Sequence, residues 1–260
     1  MVANRVKEIW AEGGTVCNGW LAIPNAVPAE FMAHQGWDSI TIDMQHGLVE
    51  LSDTLSMLQA LSTTDVMPIV RVNWNEPAPI MKALDMGAMG IICPMINSRE
   101  ECERFVGACR YAPDGYRSVG PVRAALAYGG DYIPTANKSI LTMAMIETKQ
   151  AVERLDEILT TPGLDSIYVG PSDLSVSYGH SAGFDPKTPE VLDAIHKIAE
   201  AAKKHGIGAG IHTGSVAYGL EMVEAGYRFI TFLSELRLMS WAAKNMTIAF
   251  KAGKPAPNAP

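Results

Sequence analysis

Short apolar runs alternate with amphipathic stretches along nearly the whole chain. The runs cover 16–23, 39–44, 67–72, 90–95, 141–147, 166–170, 207–211 and 228–233. Each is too short for a helix of ordinary length and is bounded by turn residues, so each predicts a buried strand. The stretches between them carry apolar residues at helical spacing. The second is the plainest, with Leu48, Leu51, Leu55, Leu58 and Leu61 on one predicted face. A short amphipathic helix carrying Val6, Ile9 and Trp10 precedes the first run. Pro28, Pro77 and Pro189 fall near helix starts, where a missing N–H costs nothing, and Gly36, Gly87, Gly206 and Gly226 fall just past helix ends. Near-continuous apolar strands alternating with helices imply a parallel sheet covered on its outer face. Eight such units in 260 residues favour closure into a (β/α)8 TIM barrel, of class α/β. The barrel is expected to span residues 1–250 as one domain, with 251–260 a mobile tail.

Two stretches depart from the rhythm. Residues 112–140 form a long connection with tyrosines, Arg117 and Arg123 among glycines and prolines, a composition unlike disorder. A lid or a subunit contact is expected there. The final helix is also unusual. Arg237, Ser240, Lys244, Thr247 and Lys251 crowd into roughly 80° of a helical wheel, and apolar residues including Trp241 and Phe250 fill most of the rest. A helix lying on its own barrel needs an apolar stripe of only about 100°. The surplus predicts a second surface packed on this helix.

Composition narrows the partners. The net charge is −7 with no basic run, which counts against nucleic acid. No apolar segment reaches membrane-spanning length, and the N-terminus lacks a signal-peptide core, so a cytoplasmic protein is expected. Cys17, Cys93, Cys102 and Cys109 show neither CxxC pairing nor metal spacing and read as free thiols.

Catalytic groups of such barrels sit where strands end at the C-terminal rim. The polar residues expected there are Asp43, Gln45 and His46 after the second strand, Arg71 on the third, Glu147 on the fifth, Asp173 after the sixth and His212 on the seventh. Glu147 and Asp173 are 26 positions apart, the separation that sets two neighbouring strand ends side by side in a βαβ unit. Two carboxylates at one rim suit a hard divalent cation; the alternative is that both merely serve the starts of the following helices. His46 reads as a general base or a structural histidine, Arg71 as an oxyanion and carboxylate contact or a partner of Asp43, and His212 as core or supporting shell. Pro171-Ser172-Asp173 opens a possible short helix whose N–H groups would receive an anion. No lysine lies within a strand, which disfavours Schiff-base chemistry, and the oxygen ligands point to Mg²⁺, Mn²⁺ or Co²⁺ rather than zinc.

Taken together, IDMQH (42–46), PIVRVNWNEP (68–77), LDMGAMGIICPMINSREE (84–101), GYRSVGP (115–121), MIET (145–148) and VGPSDLS (169–175) resemble the metal-dependent class II pyruvate aldolases of the HpcH/HpaI type. The resemblance runs from Gly19 to about Lys244. It implies a divalent metal on Glu147 and Asp173, His46 as base and Arg71 stabilising the enolate. It further implies Asp85 raising the basicity of that histidine, and Ser172 contacting the substrate carboxylate through its N–H. It implies a homohexamer, a dimer of trimers, with the C-terminal helix on a neighbouring subunit. Two positions depart from the family pattern: Gln45 stands where members carry Glu, and Met145, in the substrate pocket, where they carry Gln. Gln45 cannot act as a base and Met145 offers no hydrogen bond. The DMQH form is similar to hydroxyketoacid aldolases that take pyruvate or hydroxypyruvate and an aldehyde. From the residues themselves, the aldehyde is expected at the barrel mouth, in contact with the Arg117–Arg123 loop. Two other readings stay open: an acyl-CoA thioester lyase of the same superfamily, and a non-catalytic metabolite-binding barrel.

Overall fold

In the computed structural model, which describes residues 2–254, eight parallel strands close into a barrel in sequence order. After α1 (Arg5–Ala11) the units are β1 (Val16–Leu21) with α2 (Ala26–Ala33), β2 (Ser39–Asp43) with α3 (Leu51–Leu61), and β3 (Met67–Arg71) with α4 (Pro77–Asp85). β4 (Gly90–Cys93) is followed by α5 (Arg99–Cys109), α6 (Val122–Tyr128) and α7 (Tyr132–Ser139). β5 (Leu141–Ile146) leads to α8 (Lys149–Glu153) and α9 (Leu155–Leu159), and β6 (Ser166–Val169) to α10 (Pro171–Ser177) and α11 (Pro189–His205). β7 (Gly208–His212), α12 (Val216–Glu224), β8 (Phe229–Ser234) and α13 (Glu235–Lys251) complete the ring, with β8 pairing back onto β1.

The strands are buried almost throughout, which is why their sequences read as near-continuous apolar runs. Polar groups inside the barrel satisfy one another. Asn18 donates to Thr41 and Thr231 and accepts from Ser39. The four expected helix-end glycines, Gly36, Gly87, Gly206 and Gly226, all take positive φ. Cys93, Cys102 and Cys109 are buried free thiols and Cys17 is half-buried. No helix among the described residues is long and apolar enough to cross a membrane.

Three expectations need correction. Leu48 and Leu55 are not on the buried face of α3; both are exposed, and Leu48 precedes the helix. Asp53 accepts from the Glu50 N–H and starts the helix at Leu51, so the buried face is Thr54, Met57, Leu58 and Leu61. Residues 112–140 are largely helical, and they join the C-terminus of α5 to the N-terminus of β5. Helices run antiparallel to the strands, so this segment lies beneath the barrel and not over its own mouth. Its arginines serve structure there. Arg117 is buried, bonded to Asp85 at 2.7 Å and Tyr132 at 3.1 Å, and Arg123 donates to the Met86 carbonyl. Third, Lys251 still belongs to α13, while residues 255–260 of the expected tail lie outside the described residues.

The surplus apolar face of α13 is open. Met239, Trp241, Met246, Ile248 and Phe250 are all more than half exposed, Phe250 at 87%. Beneath the barrel, Val119, Val122 and Leu126 are exposed as well.

Candidate active site

A cavity of about 450 Å³ opens at the C-terminal rim, lined by Asp43, His46, Arg71, Met145, Glu147 and Asp173 among others. The rim gathers them because each strand ends where its last inward side chain meets solvent. Asp43 and Arg71 are register partners at the ends of β2 and β3. Arg71 donates Nε to Asp43 Oδ1 at 2.8 Å and Nη2 to Oδ2 at 2.6 Å. Both are buried, and the guanidinium also lies 4.8 Å from the Trp20 ring centroid. Burial opposes the charge on Asp43, but the Arg71 guanidinium wins and holds its carboxyl below the ordinary range. Trp20 Nε1 donates a further bond to it at 3.2 Å. Asp43 also accepts the N–H groups of Gln45 and His46, which shapes the turn that carries His46 into the mouth. Gln45 is absent from the lining, with its Oε1 buried and no donor facing it.

Glu147 follows β5 directly and is buried. Its Oε1 accepts the Met95 N–H at 2.8 Å. Met95 is the one non-glycine residue among those described with positive φ, at 56°, a conformation costly for a side chain of its size. That strain aims an N–H at the carboxylate. On the other side, a Cβ added at Gly170 would stand 2.5 Å from Glu147 Oε2, so only glycine leaves room for this carboxylate. Burial, reinforced by the nearby charge of Asp173 and opposed by the Met95 bond, pushes the Glu147 carboxyl up to about 7. Asp173 is exposed in the first turn of α10 rather than at a strand end, with Ser172 half-buried beside it.

No cluster of three or more His, Cys, Asp or Glu side chains forms a metal site among the described residues. Two carboxylates still fit one class of cation. Mg²⁺-like ions keep several waters and are held by one or two carboxylates plus substrate oxygens. A buried carboxylate crowded by another, with space kept open by Gly170, gains from a cation between them.

His212, expected in the core or supporting shell, lines the cavity directly. Its Nδ1 lies 3.1 Å from the Tyr168 hydroxyl, and its ring packs edge-on to Trp20 and tilted over Phe184, with centroids 5.0 and 4.9 Å away. Burial, then the charge of Arg71, pushes its imidazole down to about 3, so it is neutral at ordinary pH. Asp85 is not brought to this site. It closes α4 at the opposite end of the barrel, paired with Arg117. Trp20, Tyr168, Phe184 and Met95 also shape the cavity or its carboxylate, and sequence reasoning did not single them out; Arg237, also in the lining, was read only as part of the polar face of the final helix. The aromatic residues among them read as core, and Met95 carries no signal in its side chain.

Comparison with known proteins places the chain. Residues 18–231 match the HpcH/HpaI aldolase/citrate lyase family. The chain belongs to this family. It is 38% identical over 243 residues to a hydroxypyruvate/pyruvate aldolase of Rhizorhabdus wittichii, covering 94% of this chain and 97% of that one. It is 32% identical over 250 residues to a 5-keto-4-deoxy-D-glucarate aldolase of Escherichia coli, covering 95% and 97%. Among solved structures, an HpcH/HpaI aldolase/citrate lyase family protein of Burkholderia cenocepacia superposes with a TM-score of 0.89 at 30% identity, over 96% of this chain and all of that one.

Proposed function

We propose that this protein is a divalent-metal-dependent aldolase, a carbon–carbon lyase that makes and cleaves 4-hydroxy-2-oxo acids. Pyruvate or hydroxypyruvate is the enolate donor and an aldehyde the acceptor, as the names of the relatives suggest. One observation carries the reading: a buried and an exposed carboxylate share a cavity with a carboxylate-fixed arginine and a histidine at the mouth. Glu147 and Asp173 would hold Mg²⁺, Mn²⁺ or Co²⁺. When bound, such a cation acts as a Lewis acid on a 2-oxo acid and acidifies its C3 protons.

The remaining work falls to the chain. Ser172 offers its N–H to the donor's carboxylate. His46, acting through a water, takes a proton from C3 in synthesis or from the C4 hydroxyl in cleavage. Arg71 stabilises the developing enolate oxygen, and its two bonds to Asp43 fix the guanidinium plane beforehand. Met145 gives the donor an apolar wall. Asp85 lies at the opposite end of the barrel, paired with Arg117, so within the chain it does not act on His46. The open apolar face of α13 supports the homohexamer, a dimer of trimers with α13 on a neighbour.

The test is turnover of pyruvate with an aldehyde in chelator, then with each cation restored. Activity is expected to vanish and return. Glu147→Ala and Asp173→Ala should lose cation binding by calorimetry while their circular dichroism stays that of the folded barrel. Full activity in either metal-free variant overturns the assignment.

A further inference from the structure

The positive φ of Met95 needs something to hold it. A side chain in that region is strained and persists only where its surroundings over-determine it. Ile96, next in the chain, is fully buried and fixes one side of the turn. Asn97 fixes the rest. Its Nδ2 donates to the Met95 carbonyl at 2.9 Å, and its Oδ1 accepts the hydroxyl of Thr148. Thr148 directly follows Glu147, so one amide ties the turn between β4 and α5 to the residue beside the carboxylate.

The directions of these bonds are forced. Thr148 Oγ1 accepts the Ala151 N–H at 3.0 Å, so its own proton is free for Asn97, and the Met95 carbonyl can only accept. The backbone of Asn97 is anchored as well. Glu101 accepts its N–H at 2.7 Å, and Ser98 caps α5 by accepting the Glu101 N–H at 3.2 Å. None of these residues has a part in the chemistry above, yet together they fix the one N–H that faces Glu147.

The consequence falls on that carboxylate. The Met95 N–H takes Oε1 at 2.8 Å, while Oε2 lies against Gly170 in the cavity lining. An oxygen already holding an N–H is the poorer ligand, so Glu147 is held to offer a single oxygen. Ions of Mg²⁺ size accept single oxygens in near-ideal octahedra. Ca²⁺ takes more and looser oxygens and commonly claims both atoms of a carboxylate.

We propose that Asn97 is a positioning residue for the cation. By clamping the Met95 turn to Thr148 it keeps Glu147 a one-oxygen ligand, so that the site prefers Mg²⁺ or Mn²⁺ to Ca²⁺. This deepens the aldolase reading and rests on it for the presence of a cation at Glu147 and Asp173.

The test reads cation binding without turnover. Mn²⁺ titrated into the metal-free full chain is followed by loss of the free-ion paramagnetic resonance signal, and Ca²⁺ by its displacement of bound Mn²⁺. The wild type should hold Mn²⁺ about tenfold or more tightly than Ca²⁺. Asn97→Ala should weaken Mn²⁺ by roughly tenfold, the low end for loss of a contact supporting a ligand, while Ca²⁺ shifts by less than about threefold. Thr148→Val should shrink the preference in the same way, and Thr148→Ser, which keeps the hydroxyl, should preserve it. Joining Asn97→Ala to Thr148→Val should add little to either alone, because both break the same clamp. In the metal-free protein, hydrogen–deuterium exchange of the segment 94–97 should speed up in Asn97→Ala.

A merely structural role would lower the melting temperature and leave the Mn²⁺ to Ca²⁺ ratio where it was. A wild type without the preference, or a ratio unmoved in both Asn97→Ala and Thr148→Val, overturns the proposal. If Asn97→Ala does not fold, the comparison of Thr148→Val with Thr148→Ser decides alone. A wild type that binds Mn²⁺ and turns over pyruvate with an aldehyde, with an unmoved ratio in the variants, sinks only the role of Asn97. No Mn²⁺ binding in the wild type sinks the aldolase reading and this one with it.

Discussion

Asp43 and Arg71 face each other across β2 and β3 as register partners and join through two parallel hydrogen bonds at 2.8 and 2.6 Å. The pair is buried, so its halves are not separable. Arg71→Ala should strand an unpaired carboxylate and cost about 3–5 kcal/mol of stability as well as activity. Arg71→Lys keeps the charge but not the fork, and kcat should fall almost as far. Denaturant midpoints and kcat measured side by side check both statements. Near wild-type kcat in the lysine variant would reduce Arg71 to a structural partner.

His46 is held in the mouth by its backbone and not by its side chain, so removing the imidazole should leave the barrel intact. His46→Ala should lower kcat by roughly 10²–10⁴, the usual range for a general base, with cation affinity nearly unchanged. Loss of cation binding in this variant would instead make His46 a ligand.

Gly170 sets the room for Glu147. In Gly170→Ala the new Cβ would sit 2.5 Å from Oε2, and the carboxylate must move. Because the strand ends before this position, the fold should survive while cation affinity drops at least tenfold by titration calorimetry. Wild-type affinity would mean that the Glu147 position is not critical.

His212 makes a pH-dependent contribution to stability. Its folded pKa, about 3, lies below the ordinary value near 6.5, so unfolding takes up a proton between those limits. Stability from the neutral ring is complete above about pH 6.5 and is lost as pH falls toward 3, by up to about 1.4 kcal/mol per pH unit. In His212→Phe the melting temperature should fall less steeply between pH 6.5 and 4. Parallel pH profiles for the two proteins would remove the histidine from the account.

The α13 face should govern assembly. Deleting residues after Ser234 takes away Trp241, Ile248 and Phe250 and should dissociate or aggregate the protein. A stable monomer of the intact chain at micromolar concentration, by light scattering, would refute the proposed hexamer.

Much of this was legible in the chain. The eight strands stood out because burial on both faces makes them nearly continuous apolar runs. Asp43, Arg71, Glu147 and His212 stood out because each interrupts or follows such a run at its C-terminal end. Leucine periodicity misled at Leu48, since capping by Asp53 and not the apolar spacing decides where α3 begins. The direction of the 112–140 connection follows from topology, but its composition suggested a lid. Met95 contributes only backbone, and Phe184 meets Arg237 across 53 positions of sequence, so neither leaves a local trace.

The rim divides into two arcs. One, from β2 through β6 and the start of α10, carries His46, Arg71, Glu147 and Asp173. The other carries His212, Phe184 and Arg237 on β7, the segment before α11, and α13. On the proposed function the first arc makes the enolate, while the second carries none of the metal-holding or base groups and walls the far side of the cavity. Substitution can then wander along the second arc while the chemistry of the first stands still. A lineage built on this barrel can exchange one aldehyde for another without reinventing its reaction.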